Sequence, residues 1–122
     1  MQPELHLEYF LLRYVPNALK DQCVNIGLAI FALGKEDFGH VRFLGTWETV
    51  LNIDPQADIE YLNAFARDMQ ERFHDKQSRD ELVRIIKTSF SNTIQVSASQ
   101  FCTSENGPNA VEVLSRKLFP PT

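Results

Sequence analysis

Two long stretches, Leu5 to Val15 and Cys23 to Leu33, most constrain what this chain can fold into. The first is apolar, aromatic and β-branched enough for a strand, and Pro16-Asn17 then breaks its ladder. The second is a nearly continuous apolar run with Val24, Ile26, Leu28 and Ile30 on one face, which marks it as the central strand. Between Leu33 and His40, Gly34-Lys35-Glu36-Asp37-Phe38-Gly39 has the glycines and charges of a hairpin loop. His40 to Thr46 then alternates Val41 and Phe43 against Arg42 and Leu44. The first third therefore reads as an antiparallel three-strand meander.

After Trp47 the period changes. Asp54-Pro55 reads as a helix start, and Ile59, Leu62, Phe65, Ala66, Met69 and Phe73 recur at helical spacing, so one apolar stripe packs on the sheet. Ser78-Arg79-Asp80-Glu81 fits a capping box ahead of Leu82, Ile85, Ile86 and Phe90, which predicts a second helix. Thr93 to Ala98 reads as a fourth strand, Phe101 to Pro108 as a loop with an Asn-Gly turn, and a last helix starts at Asn109 and stops at Pro120-Pro121. Nothing resembling a linker, repeat or low-complexity segment divides residues 1–122, which read as a single domain able to fold alone. The predicted class is α+β: an antiparallel three- to four-stranded sheet covered by about three helices.

A formal charge of −4 and a pI near 5.3 argue against a nonspecific nucleic-acid or anionic-membrane binder, which needs a basic face that releases counterions. A sequence-specific DNA-binding module would need a basic recognition helix, which is missing. Cys23 lies in a strand-like run and Cys102 in the predicted loop. Two cysteines without repeated spacing read as free thiols of a reducing compartment, so a cytoplasmic location is expected. The N-terminus carries Glu4 and Glu8 with no preceding cationic region, and no apolar run approaches the roughly 20 residues of a membrane span, so neither export nor membrane anchoring is indicated.

Polar residues set inside the strands are the best pointers to a site, because an unpaired buried charge or amide costs several kcal/mol, on the order of 2–7 for an amide. In a meander the first and third strands flank the second, which brings Arg13 and Arg42 to one strip of sheet about 10 Å apart. Asn25 and Gly27 are expected on one face of the second strand, with Gly27 marking a close approach. One reading is an anion site, with two guanidiniums forking onto phosphate or carboxylate and Asn25 orienting it. The other is structural: the arginines pair with Glu8, Asp21, Glu36 or Asp37, and Asn25 bonds a neighbouring backbone. Trp47 either anchors a partner or caps the end of the core.

No stretch matches a catalytic or ligand-binding pattern specific enough to name a reaction or a cofactor. His6, His40 and His74 lie in different elements, and none has another His or Cys at metal spacing, so no zinc site is expected. Cys23, at the start of an apolar strand, reads as a small buried hydrophobe rather than a nucleophile. Asp54, Asp58 and Glu60 are explained by a helix dipole without acid-base catalysis.

Leu12-Arg13-Tyr14-Val15-Pro16, Val24-Asn25-Ile26-Gly27 and Val41-Arg42-Phe43-Leu44 with Trp47 resemble a family of small bacterial proteins known only as a domain of unknown function. The likeness covers the first three strands, and beyond them a helical middle and a terminal helix ending Leu118-Phe119. Lys20-Asp21-Gln22-Cys23 departs from the family's usual glycine-containing connector. The resemblance implies members encoded beside kinase-like proteins similar to the HipA toxins, and hence an accessory or antitoxin-like role. It carries no catalytic residue over; Arg13, Asn25, Gly27 and Arg42 transfer as signature positions. The expectation is thus a noncatalytic interaction protein with a protein partner, for which a HipA-like kinase is one candidate. The rival is an enzyme or nucleotide sensor holding phosphate with Arg13 and Arg42. A homo-oligomer is open through a sheet edge left by the first or fourth strand.

Overall fold

In the computed structural model, which describes residues 4–17, 22–34, 37–88 and 94–119, the meander forms, but its first strand runs past the expected break at Pro16: Asn17 pairs with Gln22 after a register shift beyond Tyr14 that takes up the proline. Strands β1 (Leu5–Asn17), β2 (Gln22–Ala32) and β3 (Gly39–Phe43) pair antiparallel. Gly34, at φ 90°, turns the chain out of β2 in the left-handed region that glycine adopts without a Cβ clash.

Beyond β1 the sheet differs from expectation. Two further strands, β4 (Ile94–Val96) and β5 (Gln100–Ser104), both pair with the far side of β1, β4 along Leu12–Tyr14 and β5 along Leu5–Tyr9. β1 is therefore interior and leaves no edge, and the segment expected as a loop from Phe101 is strand through Ser104. Thr93, the predicted start of the fourth strand, and Phe90 lie outside the described residues. β4 and β5 act as one outer strand interrupted at Ser97–Ser99, where hydroxyls replace ladder bonds. Ser97 N–H donates to the Leu11 carbonyl at 2.9 Å and Leu11 N–H to Ser97 Oγ at 2.8 Å. Ser99 Oγ donates to the buried Glu8 carboxylate at 2.7 Å.

Among the described residues there are helices α1 (Glu48–Ile53), α2 (Ile59–Arg72), α3 (Lys76–Thr88) and α4 (Gly107–Leu118). Their starts correct the sequence expectations, because other side chains take the capping bonds. Asp54 closes α1, and Asp58 caps α2 by accepting from Tyr61 N–H at 3.0 Å. Ser78 lies inside the first turn of α3, where Asp75 Oδ2 accepts from its N–H at 3.0 Å. Asn106 caps α4 by accepting from Asn109 N–H at 3.1 Å, with Pro108 in the first turn.

Both faces of the sheet are covered, which is why its strands read as near-continuous apolar runs. Phe10, Leu12, Tyr14, Ala29, Phe31, Val41 and Ile94 pack under Val50, Leu62, Met69, Phe73, Leu82 and Ile86 of the α1–α3 side. On the other face Leu7, Ile30 and Ala32 pack under Ala110 and Val111 of α4, with Phe38 and Cys102 at the margin. Cys23, expected to be buried, is exposed at the start of β2, and both cysteines are free thiols.

Tyr14 ties the sheet to α1: its phenol donates to Asp54 Oδ2 at 2.6 Å. Burial first, then the bond to Asp54 and the charges of Asp54 and Asp58, push its pKa up to about 12. A phenol whose folded pKa lies above its unfolded value of about 10 contributes stability that is complete below pH 10 and lost as the pH rises toward 12. In a spectrophotometric phenolate titration one tyrosine is expected to ionise near pH 12, and Tyr14→Phe to abolish that step. A titration unchanged by the substitution would contradict the assignment.

Candidate functional site

The residues singled out in the strands are divided between the two faces by a single irregularity. Leu12 pairs with Gly27, but Arg13 pairs with Asn25, so the register shifts between Leu12 and Arg13 and Ile26 is the extra residue of a β-bulge. Side chains alternate with period 2, so one inserted residue exchanges the faces of the positions on either side of it. Asn25 accordingly faces α4, whereas a Cβ added at Gly27 would meet Leu12 and Phe43 on the α1–α3 side. The expectation that Asn25 and Gly27 share a face is thereby corrected.

On the α4 face the polar residues fasten the helix. Asn25 Nδ2 donates to the Leu118 carbonyl at 2.7 Å, satisfying one of the acceptors that a helix C-terminus leaves without an intrahelical partner. Asn25 Oδ1 in turn accepts from Arg13 Nε at 3.2 Å. Arg42 Nη1 sits 2.6 Å from Glu112 Oε1, a half-exposed ion pair that contributes roughly 0.2–1 kcal/mol. Glu112 and Leu118 stand about 9 Å apart along the helix axis at 1.5 Å per residue, so Arg42 and Asn25 meet α4 at separate points, and the bond of Arg13 is to Asn25. Of the carboxylates considered for them, Glu8 accepts from Ser99 and Asp37 pairs with Arg79. Asp21 and Glu36 lie outside the described residues.

Arg13 differs from Arg42 in its partner: Arg42 faces the Glu112 carboxylate, whereas Arg13 bonds the neutral Asn25 amide. Only its Nε is bonded among the described residues, and the side chain lines an open cleft of about 570 Å³ with Cys23, Val24, Asn25, Thr49, Leu118 and Phe119. A cation over apolar walls suits a carboxylate attached to an apolar segment. Trp47 is half-buried against the larger core, and its indole N–H donates to Asn63 Oδ1 of α2 at 2.7 Å.

Sequence reading missed two features. His40 and His74, from different elements, come to one cleft of about 190 Å³ with Gly39, Val41, Gln70 and Phe73. Partial burial, then the charges of Arg42 and His74, holds the His40 pKa below the usual imidazole range. No group of three or more His, Cys, Asp or Glu able to hold a metal ion occurs among the described residues. The second feature is Arg79, which the sequence pattern places inside a capping box but which is buried in the structure, where it donates to the Phe73 carbonyl at 2.9 Å and to Asp37 at 2.8 Å. Its only signal in the sequence was Gly39, whose missing side chain leaves room for the guanidinium.

No helix among the described residues is long and apolar enough to cross a membrane. No curated protein and no solved structure matches this chain. A family model described as a protein of unknown function, DUF3037, matches residues 9–119, which span all the described strands and helices except the first residues of β1. The chain therefore belongs to the DUF3037 family.

Proposed function

We propose that this domain is a noncatalytic protein-interaction module, an accessory protein that holds its partner at the Arg13 cleft. The observation that carries this reading is the unequal use of the polar residues. Asn25 and Arg42 are committed to α4, Arg42 through the Glu112 carboxylate, while Arg13 bonds only the neutral Asn25 amide among the described residues and lines a cleft with Val24, Leu118 and Phe119. An acidic side chain flanked by apolar residues on a partner fits that combination, and Arg is among the residues enriched at interaction hot spots. A phosphate or nucleotide site would need Arg13 and Arg42 to fork onto one anion, and the pairing of Arg42 with Glu112 does not favour it. The partner class implied by the family resemblance, a kinase-like protein similar to the HipA toxins, would make the role antitoxin-like.

The test is capture from the native host with tagged wild type, Arg13→Ala and Arg42→Ala, read by mass spectrometry once all three are shown to fold. One dominant partner is expected, reduced about tenfold by Arg13→Ala and little affected by Arg42→Ala. In parallel, inorganic phosphate and ATP are expected to leave the melting temperature of the wild type unchanged. A shift with either anion that vanishes in Arg13→Ala would replace the interaction reading with the small-ligand one.

A further inference from the structure

The two edges of the sheet are protected unequally. β3, at one edge, carries His40 and Arg42. The other edge, from Ile94 to Ser104, contains no Lys, Arg, Asp, Glu or Pro, the residues by which proteins usually keep a sheet edge from pairing. Phe101, in the middle of β5, is 67 % exposed, the highest value among the large apolar side chains.

The backbone of that edge is also correctly presented. Leu11 turns its N–H and C=O toward the outer strand, where both bond Ser97. Amide groups on a strand alternate sides, so Leu5, Leu7 and Tyr9 bond their partners Ser104, Cys102 and Gln100. The N–H and C=O groups of Phe101 and Thr103 are left pointing outward.

We infer that β5 is a self-association edge, and that two copies of this chain pair β5 antiparallel to β5 about a two-fold axis at Cys102. In that register the whole strand overlaps, Phe101 faces Thr103 of the second copy, and the two pairs exchange four backbone hydrogen bonds. The Cys102 residues stand opposite each other as a non-hydrogen-bonded pair. The strand is uncharged and so meets its own copy without repulsion, despite the −4 charge of each chain. An isologous pairing of this kind closes on itself, whereas β5 against β3 of another copy would leave free edges at both ends and propagate. This surface is distinct from the Arg13 cleft, and Arg13→Ala leaves it intact, so the two proposals stand or fall separately.

Light scattering on the purified chain at tens of micromolar tests the inference. The wild type is expected at twice the chain mass of 14.0 kDa. Thr103→Pro removes an outward N–H while leaving the bonds to β1, a place where an edge strand tolerates proline, and is expected at the single-chain mass with unchanged circular dichroism. Phe101→Lys, which adds the guarding charge the edge lacks, is expected to do the same. Register is read in a Cys23→Ser chain oxidised with diamide. Opposed residues of a non-hydrogen-bonded pair have Cα atoms about 4.5 Å apart, within the disulfide range of about 4.4–6.8 Å, so a Cys102–Cys102 dimer is expected on a nonreducing gel. Burial pushes the Cys102 thiol up, so the oxidation is run at alkaline pH. A wild type at single-chain mass, a dimer that survives both edge variants, or a dimer without the Cys102 cross-link would each overturn the inference.

Discussion

Arg79→Ala is expected to lower the unfolding free energy by about 3 kcal/mol in a denaturant titration, with the midpoint falling and the slope unchanged. The Arg79 side chain is 3 % exposed, so the change opens a void between α3 and β3 and removes the charged donor at the Phe73 carbonyl. The ion pair is half in solvent, because Asp37 is 64 % exposed while the Arg79 side chain is 3 % exposed. Asp37→Ala leaves the buried guanidinium with the Phe73 carbonyl and is expected to cost about 1–3 kcal/mol. The same geometry makes a second demand. A Cβ at Gly39 would fall within 2.6 Å of Arg79 Cζ, and a guanidinium held by two bonds in a buried site has little room to retreat. Gly39→Ala is thus expected to cost about 2 kcal/mol in the wild type and close to nothing in the Arg79→Ala background. Additive effects in that double-mutant cycle would show that Gly39 and Arg79 do not share the space.

Gly27→Val is expected to destabilise the fold by about 2 kcal/mol through overpacking. The Cβ alone would sit 2.9 Å from Phe43 Cε1 and 3.0 Å from Leu12 Cδ1. Leu12 is fully buried, and Phe43 packs edge-on against Phe65 with ring centroids 6.0 Å apart, so neither neighbour moves without disturbing another. Gly27→Ala should cost less, since it adds the Cβ without the two γ-methyl groups of valine. Wild-type stability in Gly27→Val would mean that the bulge relaxes and turns position 27 away from the core.

Much of this molecule is legible in local pattern. The strand runs of β1 and β2, the turn at Gly34, the period change after Trp47 and the stripe of Leu62, Met69 and Phe73 each report which residues need burial, and the structure buries them. Of the aromatic residues, Phe10, Tyr14, Phe31 and Phe73 lie in the core, whereas Tyr61 and Phe101 are exposed. Arg13, Asn25 and Arg42 stood out because polar groups within apolar strands need partners, and each has one in the structure. Helix boundaries were less legible, because Asp54, Asp58, Asp75, Ser78 and Asn106 are all competent caps and the chain's path selects among them.

Tertiary structure alone decided the partners. Asn25 reaches the Leu118 carbonyl across a sequence separation of 93 residues, and Glu8 takes a hydroxyl from Ser99 across 91. Such pairs leave no periodic trace. The short, polar β5 resembles a loop until β1 offers it an unpaired side, and Arg79 resembles a surface residue until Gly39 makes room for it. The bulge at Ile26 has the same character, since one unpaired residue sends Asn25 to α4 and Gly27 to the opposite face. Periodicity specifies which residues seek burial because it is a property of neighbours along the chain. Register, face and polar partner are set when distant elements close on one another and each buried donor and acceptor must be satisfied at once.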